Sequence, residues 1–151
     1  MQVQLPLSIN TAHIARETVT DTLLAIGRAD LVDDTTVVVS ELVANGVMHA
    51  RTEMTLSVER AGDGIRVAVS DGSHTAPVES ASPVATSGRG LLLVERLSSA
   101  WGSERLAEGG KAVWAQIGHA AAVDELTAEA CWNGGPTTWR THCPRVRPTS
   151  T

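Results

Sequence analysis

Residues 37–50 read Val-Val-Val-Ser-Glu-Leu-Val-Ala-Asn-Gly-Val-Met-His-Ala, an apolar run that is interrupted by a few polar side chains. At about 100° per residue, Glu41, Asn45 and His49 share one narrow stripe of a helix whose other faces are mostly apolar. A buried carboxylate without a partner is costly, so this stripe must face a ligand, a metal ion, a water-filled cleft or solvent. The helix alone leaves open both a binding cleft and an ordinary solvated face.

The segments on either side of this helix predict an α+β fold. Apolar residues recur with a helical period in some segments and alternate with polar residues in others. This order along the chain favours helices on one face of a mixed, mostly antiparallel sheet, which is an α+β two-layer sandwich. We predict helices over about 11–26, 31–50, 90–97 and 120–131, and strands over about 2–8, 55–58, 65–69, 99–106 and 111–117.

Residues 72–90 separate the second predicted hairpin strand from the next helix. They contain glycines, prolines, serines and threonines with little periodicity, which predicts a long loop. A loop of this length inside a compact domain is typical of a lid or a binding segment.

Length and composition indicate one globular domain. The chain has 151 residues, of which 42% are hydrophobic and 19% charged, enough for one core and too few for two ordinary domains. We expect the domain to cover residues 1–132 and residues 133–151 to form a poorly ordered basic tail. No apolar run approaches the roughly 20 residues of a membrane span, and the N-terminus lacks the features of a signal peptide, so a cytoplasmic protein is expected.

The net charge of −5 is unevenly distributed. Residues 1–132 carry 9 basic and 17 acidic side chains, whereas the tail adds three arginines and no acid. A domain without a basic stripe repels polyanions, so direct nucleic-acid binding is disfavoured. A nucleotide that is held through magnesium remains compatible with an acidic surface.

Two short motifs follow the second predicted helix. Asp71-Gly72 lies at the end of a predicted strand, and Gly88-Arg89-Gly90-Leu91 lies where the long loop meets the next helix. Each motif alone is weak, because an Asp-Gly pair commonly opens a turn and a Gly-x-Gly triplet is frequent in ordinary loops. Their order after Glu41 and Asn45 makes the combination informative.

Together with Trp101-Gly102 and residues 110–114, these motifs resemble the GHKL (Bergerat-fold) ATPase superfamily, and specifically its bacterial anti-sigma-factor serine kinase branch. The similarity is to the patterns SELVxNxVxHA, VxDGS, GRGLxLVExLxxxWG and GKxVWAxI, and it covers roughly residues 5–118. The resemblance implies the Bergerat ATP-binding fold, with ATP and Mg²⁺ as ligands.

For the second helix, the resemblance implies that Asn45 coordinates Mg²⁺ and that Glu41 is the general base. An amide oxygen suits an ion that keeps phosphate oxygens and waters as its other ligands. A carboxylate one turn earlier can reach a hydroxyl near the terminal phosphate. The alternatives are a hydrogen bond from Asn45 to the helix backbone and a Glu41 carboxylate that is solvated or does not touch the ligand directly. His49 is expected to pack or to form a hydrogen bond rather than to catalyse.

The other two motifs are expected to bind the nucleotide. An ionised Asp71 only accepts hydrogen bonds, which suits the exocyclic amine of adenine, and Gly72 lets a flat base approach the backbone. Free backbone N–H groups at the start of the following helix can hold phosphate oxygens, and Arg89 can pair either with phosphate or with Glu95. The residues expected to bind the cofactor are therefore Asn45, Asp71, Gly72, Gly88, Arg89, Gly90 and Leu91.

The function that the resemblance implies is an ATP-dependent protein serine/threonine kinase that acts as an anti-sigma factor. Such a protein would phosphorylate an anti-sigma antagonist protein, sequester a sigma factor and regulate transcription by partner switching. Related proteins commonly form homodimers. Two departures from the family pattern lie at residues 73–77, where a second glycine is missing, and at Ala112, where many relatives have a threonine near the adenine pocket. The alternative is therefore a non-catalytic binding module for a sigma factor or regulator with a degenerate nucleotide site.

Overall fold

Five strands and three α-helices form two layers within residues 1–50, 52–72, 88–107 and 109–118, the parts of the chain that the computed structural model describes. A single 3₁₀ turn, Ala29–Leu31, joins the first two helices. In chain order the elements are β1 (Gln2–Leu5), α1 (Thr11–Ala25), α2 (Val32–His49), β2 (Met54–Ala61), β3 (Gly64–Asp71), α3 (Gly88–Leu97), β4 (Ala100–Arg105) and β5 (Lys111–Ile117).

The sheet has the strand order β1-β2-β3-β5-β4, and every pairing between these strands is antiparallel. β3 is therefore the central strand, with β2 and β5 as its neighbours. The predicted α+β two-layer sandwich is confirmed. Its sheet is antiparallel throughout the described strands, whereas the sequence predicts a mixed, mostly antiparallel one.

The core lies between one face of this sheet and the helices. Alternate residues of β2 and β3 are buried on that face, as the period of two requires, and α1 and α2 cover them with their apolar stripes. The most deeply buried side chains include Leu5, Val19, Leu23, Val38, Val39, Leu42, Val43, Met54, Leu56, Ile65, Val67 and Ile117.

Several element boundaries differ from the predicted ones. β1 ends at Leu5 rather than at residue 8, because Pro6 has no backbone N–H to extend the ladder. α3 begins at Gly88 rather than at Gly90, so the Gly-Arg-Gly triplet forms its first turn instead of the end of a loop.

Other predictions fall outside the described residues. They are the predicted helix over 120–131, the tail over 133–151 and the part of the predicted long loop that spans 73–87. Within the described part, no helix is both long enough and apolar enough to span a bilayer.

Candidate functional site

The polar stripe of α2 lies at the border between the buried and the exposed faces of the helix. Val43 is fully buried and Ala44 is exposed, whereas Glu41 and Asn45 are half-buried. Neither side chain therefore lies on a fully solvated face, which was the simpler interpretation of the sequence. The side chain of His49, the third member of the predicted stripe, is outside the described set.

The carboxylate of Glu41 lies against the first turn of α3. A β-carbon added to Gly90 would overlap Oε2 of Glu41 and would lie 3.3 Å from its carboxyl carbon. Only a glycine at this position lets the carboxylate come so close. The first N–H groups of α3 have no intrahelical acceptor, and the positive end of the helix dipole favours anions there. Glu41 is thus placed beside the predicted phosphate-binding turn.

Asp71 is buried at the end of the central strand. The preceding alternate residues of β3 are core residues, so Asp71 is on the same helix-facing side of the sheet. Its side chain is only 3% exposed, and its Oδ2 lies 4.0 Å from Nζ of Lys111, its cross-strand partner on β5. The backbone N–H of Gly72 donates a hydrogen bond to Oγ1 of Thr52 over 3.2 Å, which fixes the chain directly after Asp71.

α2 is packed over this end of the sheet. A β-carbon on Gly46 would overlap the sulfur of Met54, and Met54 is the cross-strand partner of Asp71 on β2. The turn of α2 that contains Asn45 and Gly46 therefore lies close to the strand ends that hold Asp71. Glu41 is one turn away, at roughly 6 Å along the helix axis, on the side of α3.

These contacts bring the predicted residues to one side of the sheet in a consistent order. Asp71 lies at the strand ends, Asn45 lies near them on α2, and Glu41, one turn earlier on α2, lies against the start of α3. A common nucleotide site requires the pair on α2 and Asp71 to share one side of the sheet. The structure brings them together in this way, and the roles of the individual residues remain predictions.

The donor set fits a divalent ion that is held mainly by a nucleotide. Among the described residues, no group of three or more histidines, cysteines, aspartates or glutamates could hold a metal by itself. Asn45 offers an amide oxygen and Glu41 a carboxylate one turn away, which matches the few protein ligands that Mg²⁺ takes beside phosphate oxygens and waters.

The first turn of α3 is described only by its backbone. Gly88 to Leu91 are helical, so their N–H groups are those that lack intrahelical acceptors. The side chains of Arg89 and Leu91 are outside the described set, as are residues 73–77, where the second glycine is missing.

The structure corrects the interpretation of Ala112. Ala112 pairs with Ser70 on β3, and both residues alternate with the Asp71 and Lys111 pair. Ala112 therefore faces the side of the sheet that is opposite to Asp71, because successive side chains of a strand point to opposite faces. A missing hydroxyl at this position does not remove a group from the side that Asp71 faces.

Two residues of the site were missed in the sequence. Lys111 is the only lysine in the chain and stands directly after a Gly-Gly pair, which could have drawn attention to it. The two residues are 40 positions apart along the chain, and only the pairing of β3 with β5 brings Lys111 beside Asp71. Thr52 carries no signal of its own, since it lies in a short connection between α2 and β2.

A known protein family matches most of the chain. The model of the histidine kinase-like ATPase domain family matches residues 5–117, a range that contains every predicted site residue. A search of curated proteins found no match. A domain of this kind implies ATP as the ligand. Since the match spans most of the 151 residues, the chain belongs to the histidine kinase-like ATPase domain family.

Proposed function

We propose that the protein is an anti-sigma factor with serine kinase activity, which transfers the terminal phosphoryl group of ATP to an anti-sigma antagonist protein. The family match supports ATP binding. The assignment to the anti-sigma branch is supported by the sequence patterns around Glu41, Asp71 and Gly88. Regulation of transcription would follow by partner switching, in which the protein binds either a sigma factor or the antagonist.

The observation that carries this proposal is the contact of the Glu41 carboxylate with Gly90. It puts a proton acceptor beside the turn where phosphate oxygens are expected, while Asp71 lies on the same side of the sheet, near the next turn of α2. A nucleotide with its base at Asp71 and its phosphates at α3 would present its terminal phosphorus near Glu41. Glu41 is half-buried rather than enclosed in the core, which is compatible with access by a second protein.

The proposed reaction is an in-line transfer. The hydroxyl oxygen of the substrate serine attacks the terminal phosphorus, the bond to the bridging oxygen breaks, and ADP leaves. Glu41 accepts the proton of the attacking hydroxyl. Asn45 would hold Mg²⁺, which supplies positive charge to the phosphate oxygens when it is bound. The N–H groups at the start of α3 orient the transferred group.

Partners and assembly belong to the same proposal. We expect a sigma factor and an antagonist protein as partners, and a homodimer as the assembly, because proteins of the branch that the sequence resembles have these properties. The excess of acidic over basic side chains in residues 1–132 disfavours direct contact with nucleic acid.

The test is phosphoryl transfer to an antagonist protein encoded beside this chain. Purified protein, Mg²⁺ and ATP labelled on the terminal phosphate should label a serine of the antagonist. Glu41→Gln keeps the shape of the side chain but removes its basicity, so the rate should fall about 100-fold or more. ATP affinity should stay within a few-fold, because the base is expected to act on the hydroxyl and not on the nucleotide.

Glu17→Gln is the matched control. Glu17 lies on α1 with its side chain 64% exposed, so the same chemical change there should leave the transfer rate unaltered. Transfer by Glu41→Gln at the rate of the unmodified protein would refute the role of the base. Binding of ATP without transfer to any co-encoded antagonist would favour the non-catalytic binding module instead.

A further inference from the structure

Lys111 is an unusual residue in this chain. It is the only lysine, since the other 11 basic residues are arginines, and its side chain is only 9% exposed. Burial of an ammonium group costs free energy unless the charge is paired and its donors are used. A buried lysine at the edge of a predicted nucleotide site therefore calls for a function.

The position of Lys111 is fixed by the backbone. It is the first residue of β5 and pairs directly with Asp71, the last residue of β3. The preceding Gly110 has a φ of +97°, and a β-carbon there would overlap the carbonyl oxygen of Asp71 and lie 3.3 Å from Cα of Gly72. The two strands are thus held in close contact at this point, and the two charged side chains face the helix layer together.

The charged groups of the pair lie near each other without being in direct hydrogen-bond contact. Nζ of Lys111 and Oδ2 of Asp71 are 4.0 Å apart, whereas a direct charge-assisted hydrogen bond spans about 2.7–2.9 Å. A group that offers a donor to the carboxylate and an acceptor to the ammonium could engage both side chains at this spacing.

We propose that Lys111 is a specificity-determining residue that recognises the nucleotide base together with Asp71. The inference rests on the proposed ATP site. Asp71 accepts a hydrogen bond from the exocyclic amine of adenine, and the ammonium of Lys111 donates one to the ring nitrogen next to that amine, N1 or N7. An ammonium only donates and an ionised carboxylate only accepts, so the pair matches an edge that carries one donor and one acceptor.

This pair also disfavours guanine. Where adenine offers its N6 donor beside the N7 acceptor, guanine offers two acceptors, O6 and N7. The carboxylate of Asp71 would then face a carbonyl oxygen with no proton to share. If Lys111 only held Asp71 in place, its contribution to binding would be the same for nucleotides with and without N1 or N7. This difference distinguishes base recognition from a purely structural role.

The experiment compares ATP with 1-deaza-ATP and 7-deaza-ATP, in each of which one ring nitrogen is replaced by C–H. Calorimetric titration of the unmodified protein should show about tenfold weaker binding of one of the two analogues than of ATP. Lys111→Met should bind ATP about as weakly as the unmodified protein binds that analogue. The variant should no longer distinguish ATP from that analogue. Arg60→Met, which removes an exposed positive charge from the far end of β2, should bind all three nucleotides as the unmodified protein does.

Two results would overturn the proposal. One is equal binding of all three nucleotides by the unmodified protein, and the other is a uniform loss for all three in Lys111→Met. Both are distinct from a failure of the proposed function, in which the unmodified protein would not bind ATP at all.

A second measurement uses the unmodified protein and therefore does not depend on whether Lys111→Met folds. Because the chain has one lysine, protein labelled with ¹⁵N-lysine gives a single side-chain ammonium signal. Saturation with ATP should shift this signal, and saturation with the weaker analogue should shift it by less than half as much. An unchanged lysine signal in ATP-saturated protein would contradict the contact between Lys111 and the base.

Discussion

Glu41 combines two requirements that conflict in most helices. As the proposed general base, it would have to be shielded enough to be positioned, yet accessible enough to meet a substrate, and its place at the border of the buried face of α2 is compatible with both. Gly90 is the residue that permits this position, since any β-carbon there would overlap the carboxylate. The catalytic hypothesis therefore depends on a glycine of α3 as much as on the glutamate of α2.

Gly90→Ala tests this dependence. We expect phosphoryl transfer to fall by about tenfold or more, because the new methyl group displaces the Glu41 carboxylate. The free energy of unfolding should not fall, since alanine is favoured over glycine within a helix by about 1 kcal/mol. Transfer assays and urea denaturation of the same variant separate the two effects.

The control for Gly90→Ala is the same change made in a Glu41→Gln protein. If the methyl group acts by displacing the carboxylate, it should cause little further loss once the carboxylate is gone. An equal loss in both backgrounds would mean that Gly90 acts on the nucleotide and not through Glu41.

Some residues of the site could be predicted from the sequence and others could not. Glu41 and Asn45 were predicted because helical periodicity is local and can be read from one segment. Lys111 could not be found in the same way, because its contact with Asp71 depends on which strands pair and in which register. Ala112 directly follows Lys111 and was assigned to the wrong face of the sheet. A shift of one residue along a strand exchanges the two faces.

At the scale of elements, the junction between β3 and β5 positions the charged pair. Gly110, with its φ of +97°, lets the backbone before β5 approach the carbonyl group of Asp71. The start of β5 and the end of β3 are therefore one structural unit. A change that separates them should affect both the stability of the sheet and the binding of the nucleotide.

Gly110→Ala should lower the free energy of unfolding by about 3 kcal/mol or more. A positive φ is costly for a residue with a β-carbon, and here that atom would also overlap the backbone of Asp71. ATP binding should weaken in the protein that remains folded. Urea denaturation and calorimetric titration measure the two effects.

Gly27→Ala is the matched control, because Gly27 also has a positive φ, +75°, but nothing lies within 4 Å of its added β-carbon. The free energy of unfolding of Gly27→Ala should fall by only about 1 kcal/mol, because this variant has backbone strain but no overlap. Equal losses at the two glycines would show that the close contact with Asp71 adds nothing to stability.

Helices and strands were predicted well where periodicity is regular and less well at their ends. α1 and α2 lie within two residues of their predicted bounds. Glycines are typical of loops and predict a start of α3 at Gly90, whereas in the structure Gly88 and Gly90 lie within the first turn of the helix. Gly90 of this turn lies against Glu41 of α2, and such a long-range contact cannot be read from the local sequence.

At the scale of the whole molecule, the two layers explain why distant motifs meet. α2 contacts α3 on one side and β3 and β5 below, so it connects the turn beside Glu41 with the strand ends beside Asp71. Motifs that are 30 to 50 residues apart along the chain thus come to lie along one helix. The central claim is that this line of residues binds ATP through a divalent ion held by Asn45.

The most direct test of that claim is calorimetric titration of ATP with and without Mg²⁺, on the unmodified protein and on Asn45→Ala. The control is Asn10→Ala, since Asn10 is exposed before α1 and its side chain makes no capping hydrogen bond. We predict that Mg²⁺ strengthens ATP binding about tenfold or more in the unmodified protein and in the control, and that Asn45→Ala loses this gain. The same gain from Mg²⁺ in Asn45→Ala, or no binding of ATP by the unmodified protein, would contradict the claim.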